Sequence, residues 1–311
     1  IDHYDGFIRN SDLQRELSPE VVIRFGSLPV SKPLVEFLNR QAKAMHVLVT
    51  EDDRWRDPLH ISSEIVHGDP VDFCKCLVDS LRDLRRSDTW LNAWTRISKN
   101  AEISMADTLE GFDVMFEGKI FLELSRLLPD NSLVFAGNSM PVRDMDSFFP
   151  SSEKDIRFLA NRGASGIDGV VSTALGAAAV TDRTSVLILG DISFYHDMNG
   201  LLAAKSKQIP ATIIVINNNG GGIFSFLPQS NYKEYFESYF GTPHDLEFKS
   251  AAELYGLNYY KVENWKEFRL AVESSLRSKR TEIIEIRCDR TENVRLHKKV
   301  WESVSHRQFK P

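Results

Sequence analysis

The sequence predicts an α/β protein built on two open, mainly parallel sheets. Three observations carry that prediction. Short apolar runs alternate with amphipathic stretches, the signature of strand–helix–strand units. The alternation restarts after a charged, polar segment at residues 85–89. The chain has 311 residues, enough for two ordinary domains with sizeable cores.

Each element follows from its own pattern. Val21–Phe25 reads as a strand, residues 33–44 as a helix, and His46–Thr50 as the next strand. Glu64–His67 is a third strand, and the helix at residues 70–84 closes the first domain, placed at residues 1–88. The second domain, residues 89–311, opens with helical pattern at residues 90–105 and 117–128. Strands are expected at Ser132–Ala136, Ile156–Leu159, Ser185–Leu189, Ala211–Ile216, Tyr259–Val262 and Glu282–Ile286. Between them fall a small-residue helix at residues 169–180 and helices at 198–207, 250–255 and 265–278. No internal repeat or low-complexity tract is present.

Bulk properties exclude several classes. A formal net charge of −6 argues against a nucleic-acid partner, since phosphate backbones call for a basic face. No apolar run approaches the roughly 18 residues of a membrane span, and no signal peptide is visible. The three cysteines, Cys74, Cys76 and Cys288, are too few and too oddly spaced for a disulfide framework or a metal knuckle. They suit a reducing, cytoplasmic setting as inert, partly buried thiols. The chain begins Ile1-Asp2-His3 without a methionine, so a processed or partial chain is expected.

The residues that carry chemistry sit at strand ends. Residues 185–191, SVLILGD, read as a buried parallel strand ending in Gly190-Asp191, and in such sheets ligands bind beyond the carboxyl ends of the strands. The next strand ends in Asn217-Asn218-Asn219 followed by Gly220, Gly221 and Gly222. Asn218 lies 27 residues beyond Asp191, about one crossover, so both side chains reach the same sheet edge. Magnesium prefers oxygen ligands in an octahedron and shares its shell with phosphates. Asp191, the Asn218 amide oxygen and the Gly220 carbonyl would serve, with a diphosphate and water completing the shell. The glycines permit a close backbone approach. A helix starting near Asp197 is expected to point its amides at the diphosphate. The plainer reading is an Asp and an Asn that cap turns.

Other sites are disfavoured. No G-x-G-x-x-G follows a strand, no P-loop is present, and no G-x-S-x-G elbow accompanies Ser193, His196 and Asp197. His196 is read as structural.

Gly190-Asp191 followed by Asn217-Asn218 resembles the thiamine-diphosphate motif. Residues 137–143 (GNSMPVR), 161–169 (NRGASGIDG), 190–197 (GDISFYHD) and 218–228 (NNGGGIFSFLP) together resemble one family. It is the 2-succinyl-5-enolpyruvyl-6-hydroxy-3-cyclohexene-1-carboxylate synthases (MenD) of menaquinone biosynthesis. The resemblance runs over essentially the whole chain, with residues 25–32 (FGSLPVSK) fitting the family's middle domain.

The resemblance implies a transferase that uses thiamine diphosphate and magnesium or manganese to add 2-oxoglutarate, with loss of carbon dioxide, to isochorismate. It makes residues 1–88 most of a middle domain and 89–311 the diphosphate domain. The family's pyrimidine domain would precede Ile1, so the chain alone is expected to be inactive, and a homodimer or homotetramer would form through that domain. Gly190, Asp191, Ile192, Ser193, Asn218, Gly220 and Gly221 match cofactor-binding positions. Arg143 and Arg162 match cationic positions beside the thiazolium, and Lys32 matches a lysine assigned to a substrate carboxylate. Asn138 and Ser139 match contacts to the reaction intermediate, although both residue types also cap helices and turns. Ile167 is a candidate wedge beneath the cofactor, and Ile223, Phe224 and Leu227 a candidate apolar wall, each equally readable as core. An acetohydroxyacid synthase relative and a non-catalytic cofactor-binding module are the rival readings. The two arginines favour the dicarboxylate enzyme over the first, and the intact Asp191–Asn218 pair argues against the second.

Overall fold

The computed structural model describes residues 1–84 and 87–307. Arg85 and Arg86, part of the segment expected to separate the domains, lie outside the described residues. The chain forms two compact units, Ile1–Ser104 together with the segment from Trp301 on, and Met105–Val300. They divide inside the helix Thr89–Glu110, later than the expected line at residue 88. The reason is local packing: Trp94, on the first turns of that helix, packs edge-on against Phe7 and Phe37 of the first unit.

The first unit holds a three-stranded parallel sheet of β1 (Val21–Phe25), β2 (Met45–Thr50) and β3 (Glu64–His67), in that order. The central strand is buried over His46–Thr50, as a strand covered on both faces must be. The helix Lys32–Arg40 starts at the Ser31 cap, whose hydroxyl accepts from the Leu34 amide, and it stops short of the expected Ala44. Cys74 and Cys76 are exposed on the helix Pro70–Ser80, which corrects the expectation of partly buried thiols. That helix has no buried residue, so its thiols have no core to enter.

The second unit holds a six-stranded, wholly parallel sheet in the order β5-β4-β6-β7-β9-β8. The strands are β4 (Ser132–Ala136), β5 (Ile156–Leu159), β6 (Thr184–Gly190), β7 (Thr212–Asn217), β8 (Asn258–Val262) and β9 (Glu282–Arg287). Strand β7 is buried at every position, and Ile213, Ile214, Val215 and Ile216 explain its continuous apolar run. Chain order turns outward from β4 to β5 and then crosses back to β6. The carboxyl ends of β4 and β6 therefore flank a topological switch point, where open sheets bind ligands. Among the described residues no helix is long and apolar enough to cross a membrane.

Three elements differ from expectation in ways that matter. The helix after β6 begins at Asp191, not near Asp197, and runs to Asp197. Asp197 instead ties down the neighbouring helix, since its carboxylate accepts from the Ser172 amide at 2.6 Å and the Ser172 hydroxyl at 2.9 Å. The segment Gly222–Phe226 forms a 3-10 turn and Glu237–Gly241 a π-helical turn. The helix Arg290–Arg307 after β9, with no strong amphipathic period to announce it, adds buried Asn293 and His297.

Candidate cofactor and metal site

The carboxyl ends of β4, β6 and β7 open onto one cavity of about 330 Å³. It is lined by Glu117, Asn138, Ser139, Met140, Pro141, Arg143, Arg162, Ser165, Ile167, Gly190, Asp191, Ile192, Ser193, Ile216, Asn218 and Gly220–Phe224. Sheet register explains the convergence, because Gly190 pairs with Ile216, so that Asp191 and Asn218 follow adjacent strand ends within one residue of the same height. Asn217 is spent elsewhere: its Nδ2 donates to Glu285 at 2.9 Å.

Asp191 is 1% exposed, and protein groups already aim at its oxygens. Oδ1 accepts from the Ile192 amide at 2.7 Å and Oδ2 from the Gly220 amide at 3.0 Å. Burial pushes its pKa up against the pull of those two amides and of His244. His244 Nε2 lies 3.1 Å from Asp191 Oδ2 but is not aligned as a hydrogen bond. Its Nδ1 accepts from the Leu246 amide, which leaves the ring proton of a neutral imidazole on Nε2. Asn219 holds that loop, with Oδ1 accepting from the His244 and Asp245 amides, both at 2.9 Å.

Gly220 must be glycine. Its φ is +137°, and a Cβ there would stand 1.9 Å from the Gly241 carbonyl oxygen. The π-helical turn presses that carbonyl into the loop, where it accepts from the Gly221 amide at 2.8 Å. Gly220's own carbonyl, the third expected ligand, accepts from the Gly222 amide at 2.9 Å, leaving one lone pair for a cation.

The donor set fits a hard cation shared with a diphosphate. Asn218 Oδ1 is buried and has no hydrogen-bond partner among the described residues, a state that costs roughly 1–3 kcal/mol if left so. Among the described residues no cluster of three or more His, Cys, Asp or Glu could hold a metal alone. One carboxylate, one amide oxygen and one carbonyl suit magnesium, which keeps phosphate and water ligands.

The opposite wall is cationic. Arg143 Nη1 donates to the Ser139 carbonyl at 2.6 Å, and Arg162 Nη1 to Asn138 Oδ1 at 2.6 Å. Burial, then the charge of Arg162, lowers the Arg143 pKa. Asn138 is 2% exposed, and its Nδ2 donates to the carbonyls of Asn161 at 2.9 Å and Gly166 at 2.6 Å. Its amide thus clasps the loop that carries Arg162. Ser139 adopts φ 71°, ψ −128° at the start of the helix Met140–Phe148, and its hydroxyl makes no capping bond. That is strained backbone for a serine.

Apolar residues divide. Ile167, Ile223 and Phe224 line the cavity, and Ser193 holds Ile167 in place by donating to its carbonyl at 2.7 Å. Leu227 is not among the residues that line it. The tighter 3-10 turn ends at Phe226 and Leu227 follows in extended backbone, so the helical i, i+4 spacing to Ile223 is lost. Lys32 belongs to the first unit, is largely exposed, and lies 3.6 Å from Glu36. His196 is exposed and lines a second hollow with Ile192, Tyr195, Thr242, His244 and Leu246.

Sequence reasoning missed a buried acidic group behind the cation site. Glu117, 1% exposed, accepts from Asn218 Nδ2 at 2.9 Å. Burial, then the charge of Asp144, raises its pKa to about 7, while the Asn218 bond and His297 oppose the rise. His297 Nε2 lies 2.9 Å from Asp144 Oδ1, and both are buried. Burial lowers the His297 pKa, but the charge of Asp144 and its hydrogen bond outweigh that and hold it up. Burial and these acids push the Cys288 thiol well up, away from nucleophilic use. The sequence carried little signal: Glu117 opens a helix of mixed polar and apolar residues, EGKIFLELSRL, and nothing in that pattern names its partner.

Comparison with known proteins follows this geometry. Residues 143–286 match the family described as thiamine pyrophosphate enzyme, C-terminal TPP binding domain. The chain is 44% identical over 301 residues to 2-succinyl-5-enolpyruvyl-6-hydroxy-3-cyclohexene-1-carboxylate synthase of Bacillus cytotoxicus, covering 97% of this chain and 51% of the relative. The synthase of Geobacillus thermodenitrificans is 46% identical over 305 residues, covering 98% and 52%. The chain thus spans about half the length of the curated relatives it matches. In fold it is similar to a Rhodococcus jostii RHA1 thiamine diphosphate-dependent 4-hydroxybenzoylformate decarboxylase, with a TM-score of 0.65 and 18% identity, over 90% of this chain and 51% of that one. With the strand-end donors and two guanidinium groups in one cavity, the chain is similar, along nearly its whole length, to about half of a 2-succinyl-5-enolpyruvyl-6-hydroxy-3-cyclohexene-1-carboxylate synthase, and the match includes the thiamine pyrophosphate enzyme C-terminal domain.

Proposed function

We propose that the chain supplies the diphosphate and cation half of a synthase that adds 2-oxoglutarate, with decarboxylation, to isochorismate in menaquinone biosynthesis. The observation that carries this reading is the buried Asn218 Oδ1, unpartnered among the described residues, on a side chain that lines one cavity with Asp191 and two guanidinium groups.

In this reading Asp191, Asn218 Oδ1 and the Gly220 carbonyl hold magnesium or manganese. The helix Asp191–Asp197 and residues Gly190, Ile192, Ser193 and Gly221 border the diphosphate. When bound, thiamine diphosphate supplies the electron sink for decarboxylation and carbon–carbon bond formation. The protein's own part is positioning and charge. Arg143 and Arg162 neutralise the substrate carboxylates, for which a planar guanidinium suits bidentate capture. Asn138 and the strained Ser139 set the height of that cationic wall. Ile167, Ile223 and Phe224 keep water from the reacting face. Lys32 and a second carboxylate, a middle-domain role for residues 1–88, a diphosphate-domain role for 89–311, a homodimeric or homotetrameric assembly and a cytoplasmic setting complete the proposal.

Calorimetry tests it. Thiamine diphosphate is expected to bind only when magnesium or manganese is present, and Asp191→Ala is expected to remove that dependence along with the binding. Equal affinity with and without the cation would end the metal assignment.

A further inference from the structure

Resting on the cation–diphosphate reading above, we infer that Glu117 is a positioning residue that fixes which end of the Asn218 amide faces the cation. An asparagine can present either its oxygen or its NH2 group, and only the oxygen can ligate a cation. The choice is set by what the other end meets. Here the other end meets a carboxylate: Asn218 Nδ2 donates to Glu117 Oε1 at 2.9 Å, and both side chains are buried. A flipped amide would set its oxygen against the Glu117 oxygens, two acceptors facing each other. Space closes the remaining freedom. A Cβ on Gly222 would lie 2.5 Å from Asn218 Nδ2, so the amide already fills the room beside that backbone. Oδ1 is left as a buried atom without a partner among the described residues, on a side chain that lines the same cavity as Asp191.

Glu117 is itself held. It is the first residue of the eleven-residue helix Glu117–Leu127, whose exposed amide ends favour a negative charge there. The preceding Phe116 contributes no capping side chain. The carboxylate is thus anchored on a rigid element, while the ligand it orients sits on the loop after β7. Groups that orient a metal ligand in this way typically change metal affinity by roughly 10–100-fold when removed.

The test compares Glu117→Ala with Glu117→Gln in the 311-residue chain. Manganese, followed by electron paramagnetic resonance, is titrated in the presence of thiamine diphosphate. Glu117→Ala is expected to weaken manganese affinity roughly 10–100-fold. Glu117→Gln keeps an oxygen that can accept from Asn218 Nδ2 but can also turn its own NH2 toward Asn218 Oδ1, so its affinity is expected to fall between wild type and Glu117→Ala. In cation-free protein, the Asn218 side-chain NH2 protons are expected to exchange slowly in wild type and in Glu117→Gln, and fast in Glu117→Ala. Wild-type affinity in Glu117→Ala, or equal loss in both variants, would overturn the inference and leave the cofactor reading standing. A wild-type chain that binds no manganese with thiamine diphosphate would overturn that reading and the inference with it.

Discussion

Arg162 and Asn138 meet at 2.6 Å, guanidinium to amide oxygen, while the other end of the same amide holds two carbonyls of the loop that carries Arg162. One buried side chain therefore ties the end of β4 to the loop after β5. Asn138→Ala would leave the Asn161 and Gly166 carbonyls and the guanidinium short of partners. We expect a loss of roughly 2–3 kcal/mol, read as a lower urea midpoint at unchanged slope. An unchanged midpoint would mean that the loop is held by something else.

Stability of the cation-free chain should fall as pH rises. The Glu117 carboxyl sits at about 7 in the folded chain against a reference of 4.5. With the folded value raised, the contribution is complete below 4.5 and is lost as pH climbs through about 7. A gap of this size corresponds to on the order of 3 kcal/mol. His297, held above its ordinary value by Asp144, acts in the same direction at higher pH. Denaturant unfolding between pH 4.5 and 8 checks this, and Glu117→Gln should flatten the profile. A chain that gains stability across that range would contradict the sign.

The fold was legible because short apolar runs set between polar stretches announce parallel strands even at sheet edges. β1, β3, β4 and β5 run as expected, although only β4 is buried along its length. The Asp191–Asn218 pair was legible for the same reason: strand ends fix height, and height brings side chains to one edge. What escaped depends on contacts distant in sequence. Glu117 lies 101 residues from Asn218, and His297 lies 153 from Asp144, separations that no local period encodes. The π-helical turn at Glu237–Gly241, which explains why Gly220 is glycine, left no pattern of its own either. The 3-10 turn that separates Leu227 from Ile223 was not legible, because a 3-10 turn and an α-helix share the same short apolar spelling.

Ser139 stores strain that a glycine would release. Its φ of 71° with ψ of −128° falls in a region that side chains avoid, and its hydroxyl caps nothing. Ser139→Gly should therefore raise stability by about 1 kcal/mol, the lower end of the strain such backbone carries. The gain should appear as a higher melting temperature in the cation-free chain. Loss of stability would show that the hydroxyl has a compensating partner. The cavity would lose a polar group at the same time, so any weakening of substrate binding separates the residue's functional role from its conformational cost.

Two guanidinium groups in one cavity call for an anion. Among the described residues neither Arg143 nor Arg162 forms an ion pair with a carboxylate, and the charge of Arg162 adds to burial in lowering the Arg143 pKa. A dicarboxylate would relieve that repulsion, so 2-oxoglutarate should stabilise the folded chain. At tenfold excess over its dissociation constant the gain is about 1.4 kcal/mol, visible as a shift in melting temperature. Arg162→Met should remove most of this shift. Cation-dependent affinity for thiamine diphosphate should stay within about threefold, because the proposed cation ligands follow the ends of β6 and β7 whereas Arg162 sits on the loop after β5. If the variant instead loses the cofactor and keeps the dicarboxylate shift, Arg162 serves the diphosphate and the division of the cavity into a cation end and an anion end is wrong.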